Sequence, residues 1–158
     1  MDIGTIKIVA ALIRDDAGRV LLVRKRGTSA FMQPGGKRDP GEDDIAALAR
    51  EIDEELGCGL VRDSICSLGE FEAVSANEPG WRVRASLYGI DVTGDISPKA
   101  EIDEVLWINP ASLPVIPLAP LTRDYVLPLA SRALFNQNRS GSNAATADYL
   151  HKGNSIPL

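Results

Sequence analysis

Three glutamates, Glu51, Glu54 and Glu55, are spaced three and four residues apart, so a helix would place them on one flank. Like charges at this spacing destabilise a helix by roughly 0.2–0.5 kcal/mol per pair, so the cluster has no structural reason to exist unless a cation neutralises it. Carboxylates without Cys or His ligands favour Mg²⁺, Mn²⁺ or Ca²⁺ over Zn²⁺. Because Mg²⁺ is commonly held by a few carboxylates plus substrate phosphates, the spacing indicates metal-assisted chemistry on a phosphorylated substrate.

The negative charge of the chain is concentrated around these glutamates. The formal net charge is -5, and residues 36–58 account for all of it with eight acids against Lys37, Arg38 and Arg50. Such a patch gathers cations and is poor at binding phosphates or nucleic acid directly, so no nucleic-acid partner is expected. A solvated acidic helix face would have the same composition. The eight acids are Asp39, Glu42, Asp43, Asp44, Glu51, Asp53, Glu54 and Glu55.

Other residue types exclude several classes of site. The single histidine, His151, lies in a polar tail and excludes a multi-histidine metal site. Cys58 and Cys66 are not in CxxC spacing, and reduced thiols in a cytoplasmic protein are expected. The apolar run at residues 8–13 is too short to span a membrane, and no basic region precedes it as in a signal peptide.

The glutamate cluster falls within a predicted helix over residues 41–56. Acids at its start and Gly57 at its end are typical of helix termini. Apolar residues recur at steps of three and four, which gives the helix one buried face beside the glutamates. These apolar residues are Ile45, Leu48, Ile52 and Leu56.

The remaining segments predict strands on both sides of this helix. A turn at residues 15–18 suggests that the first two strands form a β-hairpin. The order of strands, helix, strands, helix predicts an α+β or α/β sandwich around a mixed sheet. We expect one domain over residues 1–135 and a polar C-terminal extension over 136–158. The predicted strands are residues 3–13, 19–26, 67–75, 81–93 and 101–108, followed by an irregular segment at 109–120 and a second helix at 122–135.

Residues 36–58 have the pattern Gly-x5-Glu-x7-Arg-Glu-Ile-Asp-Glu-Glu-Leu-Gly-Cys, preceded by Pro34 and Gly35. This segment resembles the Nudix box at every fixed position, with Cys58 as the apolar residue at its end. The resemblance implies the Nudix fold, an α/β/α sandwich with a mixed β-sheet between helices. It also implies a hydrolase that uses Mg²⁺, or Mn²⁺ in its place, to cleave a diphosphate linkage in a small-molecule nucleotide.

The resemblance also implies a role for each matching residue. Glu54 and Glu55 match the main metal ligands, and Glu51 matches a further ligand or the base that activates water. The remaining matches are the Gly36 carbonyl as a backbone ligand, Arg50 as the arginine that orients the glutamates, and Glu42 as an outer partner of that network.

A further acidic site often lies six residues before a tryptophan in this family. Glu101 has this spacing from Trp107 and is the predicted additional ligand or general base, with Glu104 as the second choice. The alternative is an acidic turn that simply precedes a strand.

The substrate is indicated mainly by absences. Ala73 and Val74 stand where relatives that hydrolyse ADP-ribose have a proline, and Ser75 stands where diadenosine polyphosphate hydrolases have a tyrosine. The chain therefore resembles the MutT-like group, which converts nucleoside triphosphates to a monophosphate and pyrophosphate. No counterpart of the purine-reading asparagine of bacterial MutT is found around residues 117–122, so specificity for 8-oxo-dGTP stays open. ADP-ribose or a nucleotide sugar is the alternative substrate.

Substrate contacts are predicted for four residues. Arg24, Arg26 and Lys37 have the charge to meet outer phosphates, although the two arginines also suit a solvated strand edge. Phe31 is a candidate for base stacking, as are Phe71, Trp81, Tyr88 and Trp107, but each also suits the core. A non-catalytic Nudix domain is disfavoured because no box glutamate is lost, and an isopentenyl diphosphate isomerase because neither cysteine has the required setting. The sequence leaves open whether the chain forms a homodimer.

Overall fold

Strand β1 (Gly4–Ile13) lies near the middle of a four-stranded mixed sheet. In the computed structural model, which describes residues 3–132, the order across this sheet is β3, β1, β6 and β5. Strand β6 runs parallel to β1 along its whole length, whereas β3 and β5 are antiparallel to their neighbours. These strands are β3 (Gly35–Gly36), β5 (Cys66–Val74) and β6 (Trp81–Ile90).

Two smaller antiparallel ladders and a few helical segments complete the described chain. Strand β2 (Val20–Lys25) pairs with β8 (Ile102–Ile108), and β4 (Gly59–Leu60) pairs with β7 (Val92–Thr93). Helix α1 is Asp44–Leu56, and Arg62–Ser64 forms a short 3₁₀ turn. One π-helical turn, Thr122–Val126, leads directly into the short helix α2, Leu127–Ala130.

The alternation of side chains along β1 builds a hydrophobic core on both faces of the sheet. Val9, Ala11 and Ile13 pack in a cluster that contains the apolar face of α1. The residues between them, Ala10 and Leu12, pack in a second cluster that contains residues of the π-turn and α2. A mixed sheet therefore lies between helical segments, and the predicted α/β/α sandwich is confirmed.

The predicted β-hairpin at the start of the chain is wrong. The turn forms as expected, with the Gly18 N–H donating to the Asp15 carbonyl at 3.0 Å. Only an isolated bridge between Arg14 and Val20 joins the two strands, however, and β2 continues into its ladder with β8. The reason is that β3 and β6 already occupy the two edges of β1, so β2 has no free edge there.

Both predicted helices are shorter in the structure. Helix α1 begins at Asp44 because Asp43 caps it, accepting the Ala46 N–H at 2.8 Å, and it ends at Leu56 because the next residue, Gly57, has a φ of 68°. The second helical segment ends at Ala130. Residues 133–135 of that predicted helix and the predicted extension, 136–158, lie outside the described residues. Within residues 3–132, none of the helices has the length and apolarity that a membrane span requires.

Gly35 is essential to the packing of β3 against β1. A Cβ built on it would collide with the Val9 carbonyl oxygen and the Ala10 Cα, and its φ is 147°. We therefore expect Gly35→Ala to lower the free energy of unfolding by about 3 kcal/mol or more. Gly27→Ala is the matched control, because Gly27 also has a positive φ but has open space around it. Gly27→Ala should lower the free energy of unfolding by only about 1–2 kcal/mol. Equal losses in urea titrations of the two variants would contradict this.

Candidate active site

The two glycines of β3 allow its backbone to lie directly against the carboxylates of α1. A Cβ on Gly36 would come within 2.5 Å of Glu51 Oε2. The Gly35 N–H donates a hydrogen bond to Glu55 Oε1 at 3.1 Å. The loop before α1 and the helix itself therefore form one unit, with Glu51 and Glu55 beneath the glycine backbone.

Arg50 connects most of the acidic residues of this unit. Its Nε and Nη2 donate to the two carboxylate oxygens of Glu42 at 2.7 and 2.9 Å. Its Nη1 donates to Glu51 Oε1 at 2.7 Å and lies 3.4 Å from both oxygens of Glu54. Nη2 also donates to the Lys37 carbonyl at 2.9 Å. One guanidinium thus binds the loop to the helix. The Nudix resemblance implied contacts between Arg50 and these glutamates, and the role of Arg50 in orienting them for catalysis stays a prediction.

The contacts with Arg50 and the degree of burial shift the pKa values of Glu42 and Glu51 in opposite directions. The hydrogen bonds from Arg50 lower the pKa of Glu42 to about 2, and the same bonds raise the pKa of Arg50 above its ordinary value. Glu51 behaves differently, because burial raises the pKa of its carboxyl and outweighs the opposing effect of Arg50. Glu42 therefore carries a permanent negative charge, whereas Glu51 is easier to protonate than an ordinary glutamate.

Glu55 is the most deeply buried acid of the cluster, with 2% of its surface exposed. Burial raises the pKa of its carboxyl to about 8, although the Gly35 N–H opposes the shift. Glu55 Oε2 has no hydrogen-bond partner among the described residues. A buried carboxylate oxygen without a partner is costly, so this atom is suited to accept a cation or a proton.

A pocket of about 310 Å³ opens beside this unit. Its acidic end is lined by Gly36, Arg50, Glu51 and Glu101, with the Lys25 amine 3.7 Å from Glu101 Oε1. Much of the remaining lining is apolar, and the β5–β6 loop contributes residues 74–78. The apolar lining outside this loop consists of Ile6, Ile8, Met32, Val83, Ala119 and Leu121.

The structure brings together most of the residues that the sequence singled out. Gly36, Lys37, Arg50, Glu51 and Glu101 all line this pocket. In addition, Glu42 contacts Arg50 and Glu55 contacts Gly35. Glu54 contacts Arg50 but is exposed and is not among the residues that line the pocket. The predicted roles of these residues as ligands or base stay predictions.

Three of the predicted substrate-binding residues lie elsewhere. Arg24 pairs with Asp103 and Glu104, and its guanidinium carbon lies 5.9 Å from the centre of the Phe31 ring. Arg26 donates to the Ala100 carbonyl, and Phe31 is buried in the core. None of the three lines the pocket. Arg24 lies in the β2–β8 ladder, Arg26 binds the segment before β8, and Phe31 is packed in the core beside Leu118. Lys37 is the predicted phosphate contact that the structure places at the site.

Sequence reasoning missed the residues that form the apolar lining of the pocket and those that the β5–β6 loop contributes. Met32 and Gln33 directly precede Pro34, and that position was the available signal. The segment between the predicted strands 67–75 and 81–93 was given no role, so Asn77 was not considered. No aromatic residue is among those that line this pocket in the described chain, so none of the predicted stacking residues lies there.

The donor set fits a hard divalent cation, although the carboxylates are not preassembled around one. Among residues 3–132, no three acidic, histidine or cysteine side chains converge on a common point. The Arg50 guanidinium instead contacts both Glu51 and Glu54. Oxygen-only donors, the unpartnered Glu55 Oε2 and the space that Gly36 leaves beside Glu51 together suit Mg²⁺ or Mn²⁺.

The burial of Glu55 predicts a pH dependence of stability in the metal-free protein. A carboxyl whose pKa rises from 4.5 to about 8 on folding binds a proton in the folded state that the unfolded state has lost. The free energy of unfolding of the metal-free protein therefore decreases as the pH rises from 4.5 to about 8. In EDTA, Glu55→Gln should match the wild type near pH 4.5 and exceed it near pH 8 by a few kcal/mol, to order of magnitude.

Glu54→Gln is the control for this experiment, because Glu54 lies on the same flank but its side chain is 51% exposed. Urea titrations at several pH values should show little pH-dependent difference between it and the wild type. If the stability difference between Glu55→Gln and the wild type does not grow between pH 4.5 and pH 8, the assigned burial of Glu55 is contradicted.

Comparisons with known proteins identify the family. Residues 5–129 match the model of the NUDIX domain. Over 76 residues, the chain is 34% identical to a Haemophilus influenzae protein named 8-oxo-dGTP diphosphatase, covering 46% of this chain and 56% of that protein. Over 83 residues, it is 34% identical to nucleoside diphosphate-linked moiety X motif 6 of Xenopus laevis, covering 51% of this chain and 36% of that protein. The chain thus matches only part of the length of these relatives.

Solved structures agree with this family. The crystal structure of MutT NUDIX hydrolase from Burkholderia pseudomallei has a TM-score of 0.67 and 28% identity, covering 78% of this chain and 96% of that one. The solution structure of the E. coli ORF135 protein has a TM-score of 0.64 and 26% identity, covering 82% and 92%. Because the family model spans most of the chain, this chain belongs to the Nudix family.

Proposed function

We propose that this chain is a metal-dependent hydrolase that cleaves a diphosphate linkage in a nucleoside triphosphate or a related nucleoside diphosphate derivative. From a triphosphate it would release a monophosphate and pyrophosphate. The observation that carries the proposal is the pocket, which combines the carboxylates of Glu51 and Glu101 with a set of apolar side chains. Such a pocket can accept a charged diphosphate and an uncharged ring system at the same time.

The acidic end needs a cation before it can accept a diphosphate, because Glu51 and Glu101 would repel the substrate. Glu51, Glu54, Glu55 and the Gly36 carbonyl are the groups that would hold Mg²⁺ or Mn²⁺. When bound there, such a cation would supply polarisation of the phosphoryl group and a lowered pKa for an attacking water. Glu51 or Glu101 would take the proton from that water, and Arg50 holds Glu51 in position. Lys37 adds a positive charge at the same pocket.

The names of the relatives support a nucleotide as the substrate. The Haemophilus influenzae protein is named for 8-oxo-dGTP, and the Burkholderia pseudomallei structure is titled a MutT hydrolase. The absence of the ADP-ribose and dinucleoside patterns after the box points in the same direction. We therefore place nucleoside triphosphates first, with 8-oxo-dGTP among those to be tested.

A metal-dependent substrate screen tests this proposal. Hydrolysis should be lost in excess EDTA and restored by Mg²⁺ or Mn²⁺, and triphosphates should give the highest kcat/KM. The screen should include 8-oxo-dGTP, the common nucleoside triphosphates, ADP-ribose and a UDP-sugar, with release of pyrophosphate or phosphate as the readout. Full activity in chelator would refute the metal dependence. ADP-ribose or the UDP-sugar as the best substrate would refute the assigned substrate class.

Two neutral variants test the assigned roles of the glutamates. Glu55→Gln keeps the shape and helix propensity of the side chain but removes its charge, so kcat should fall by about 100-fold or more while the fold survives. Glu101→Gln should lower kcat less, since Lys25 already shares its charge.

Glu104→Gln is the matched control, because Glu104 lies on the same segment but pairs with Arg24 outside the pocket. Its kcat should equal that of the wild type. A Glu55→Gln enzyme with native kcat at saturating Mg²⁺, or a Glu104→Gln enzyme impaired more than Glu101→Gln, would show that the site is assigned incorrectly.

A further inference from the structure

One buried polar side chain in the pocket has no part in the proposed chemistry. Of the residues that line the pocket, Gln33, Glu51 and Ser75 are both polar and buried. Glu51 belongs to the acidic end, and the Ser75 hydroxyl donates to Glu78 within the β5–β6 loop. Gln33 is left, with 6% of its surface exposed and with the apolar side chains of Met32 and Leu121 in the same lining.

A hydrogen bond from Thr122 fixes the orientation of the Gln33 carboxamide. Thr122 is completely buried at the start of the π-turn, and its hydroxyl donates to Gln33 Oε1 at 2.6 Å. With the oxygen engaged, the amide nitrogen is the group left to bind a molecule in the pocket. Within residues 3–132 this nitrogen has no protein acceptor. Unlike Glu55 Oε2, this nitrogen is not sealed from solvent, so an occupant of the pocket can accept its hydrogen bond.

We propose that Gln33, held by Thr122, determines base specificity by donating a hydrogen bond to a ring carbonyl oxygen of the substrate. This inference rests on the proposed function, which places a nucleoside diphosphate group in the pocket. A base with an amino group at the same position would bring one donor against another, and a site that hydrogen-bonds a substrate group discriminates strongly against analogues that lack it. The enzyme should therefore prefer oxo bases to their amino counterparts.

Two pairs of substrates test this effect, because within each pair a ring carbonyl is exchanged for an amino group and the adjacent ring nitrogen loses its proton. They are ITP against ATP and UTP against CTP. The wild type should favour the oxo member of at least one pair by about 10- to 100-fold in kcat/KM. Gln33→Met keeps the length of the side chain but removes the donor, and it should bring that ratio close to one. Thr122→Val frees the carboxamide to rotate and should reduce the ratio in part.

Asn77→Ala is the matched control, because Asn77 also presents a carboxamide at the pocket but lies on the β5–β6 loop. It should leave the oxo-to-amino ratio unchanged even if it alters KM for every substrate. A role of Gln33 in stability alone would lower Tm and affect all four nucleotides equally. A wild-type ratio near one in both pairs, a native ratio in Gln33→Met, or loss of the ratio in Asn77→Ala would overturn the assignment. If Gln33→Met does not fold, the wild-type and Thr122→Val ratios decide.

Binding of the uncharged nucleosides inosine and adenosine to the metal-free protein separates this inference from the proposed function, because neither carries a phosphate that Glu51 and Glu101 would repel. Calorimetry should show tighter binding of inosine, with the difference lost in Gln33→Met. If this preference is found but no triphosphate is hydrolysed, the proposed function is wrong and the role of Gln33 stands. If triphosphates are hydrolysed without any oxo preference, the function stands and the role of Gln33 is wrong.

Discussion

The interaction between the Arg50 guanidinium and its surrounding carboxylates determines the architecture of the site. Its planar fork engages both oxygens of Glu42 while a third nitrogen reaches Glu51, a geometry that a lysine amine cannot reproduce. The same group binds the Lys37 carbonyl, so it fixes the loop as well as the helix. Without this positive charge, the loop acids and the helix acids would repel each other across the pocket.

Position on α1 gives neighbouring glutamates very different environments. Glu51 and Glu55 are one helical turn apart and face the sheet, whereas Glu54 points to solvent. The buried pair lies next to the apolar residues Leu48 and Ile52, and desolvation raises the pKa of each of its carboxyls. Because a metal ligand must be deprotonated, cation binding at Glu55 would release a proton over the pH range in which this group is neutral.

Local patterns predicted the helix and the acidic cluster, because these features depend on spacing along the chain, whereas the pairing of Arg50 with Glu42 was implied by the resemblance to the Nudix box. Local patterns could not predict strand partners. Strand β2 was assigned to the neighbouring β1, although its partner β8 comes much later in the sequence. The apolar lining of the pocket was missed for the same reason, since Ile6, Met32 and Leu121 come from three distant segments. Phe31 had the right chemistry for stacking, but tertiary packing places it in the core.

The parallel pairing of β1 with β6 has a consequence for the order of folding. Gly4 pairs with Trp81 and Ile13 with Ile90, so the central pair of the sheet joins segments that are far apart in the chain. Closing so long a loop is entropically costly and is slow compared with forming α1 or the β5–β6 hairpin. During synthesis, β1 therefore emerges well before its main partner does. Until β6 arrives, β1 has an apolar strand edge exposed to solvent, so this stage is the one most vulnerable to aggregation.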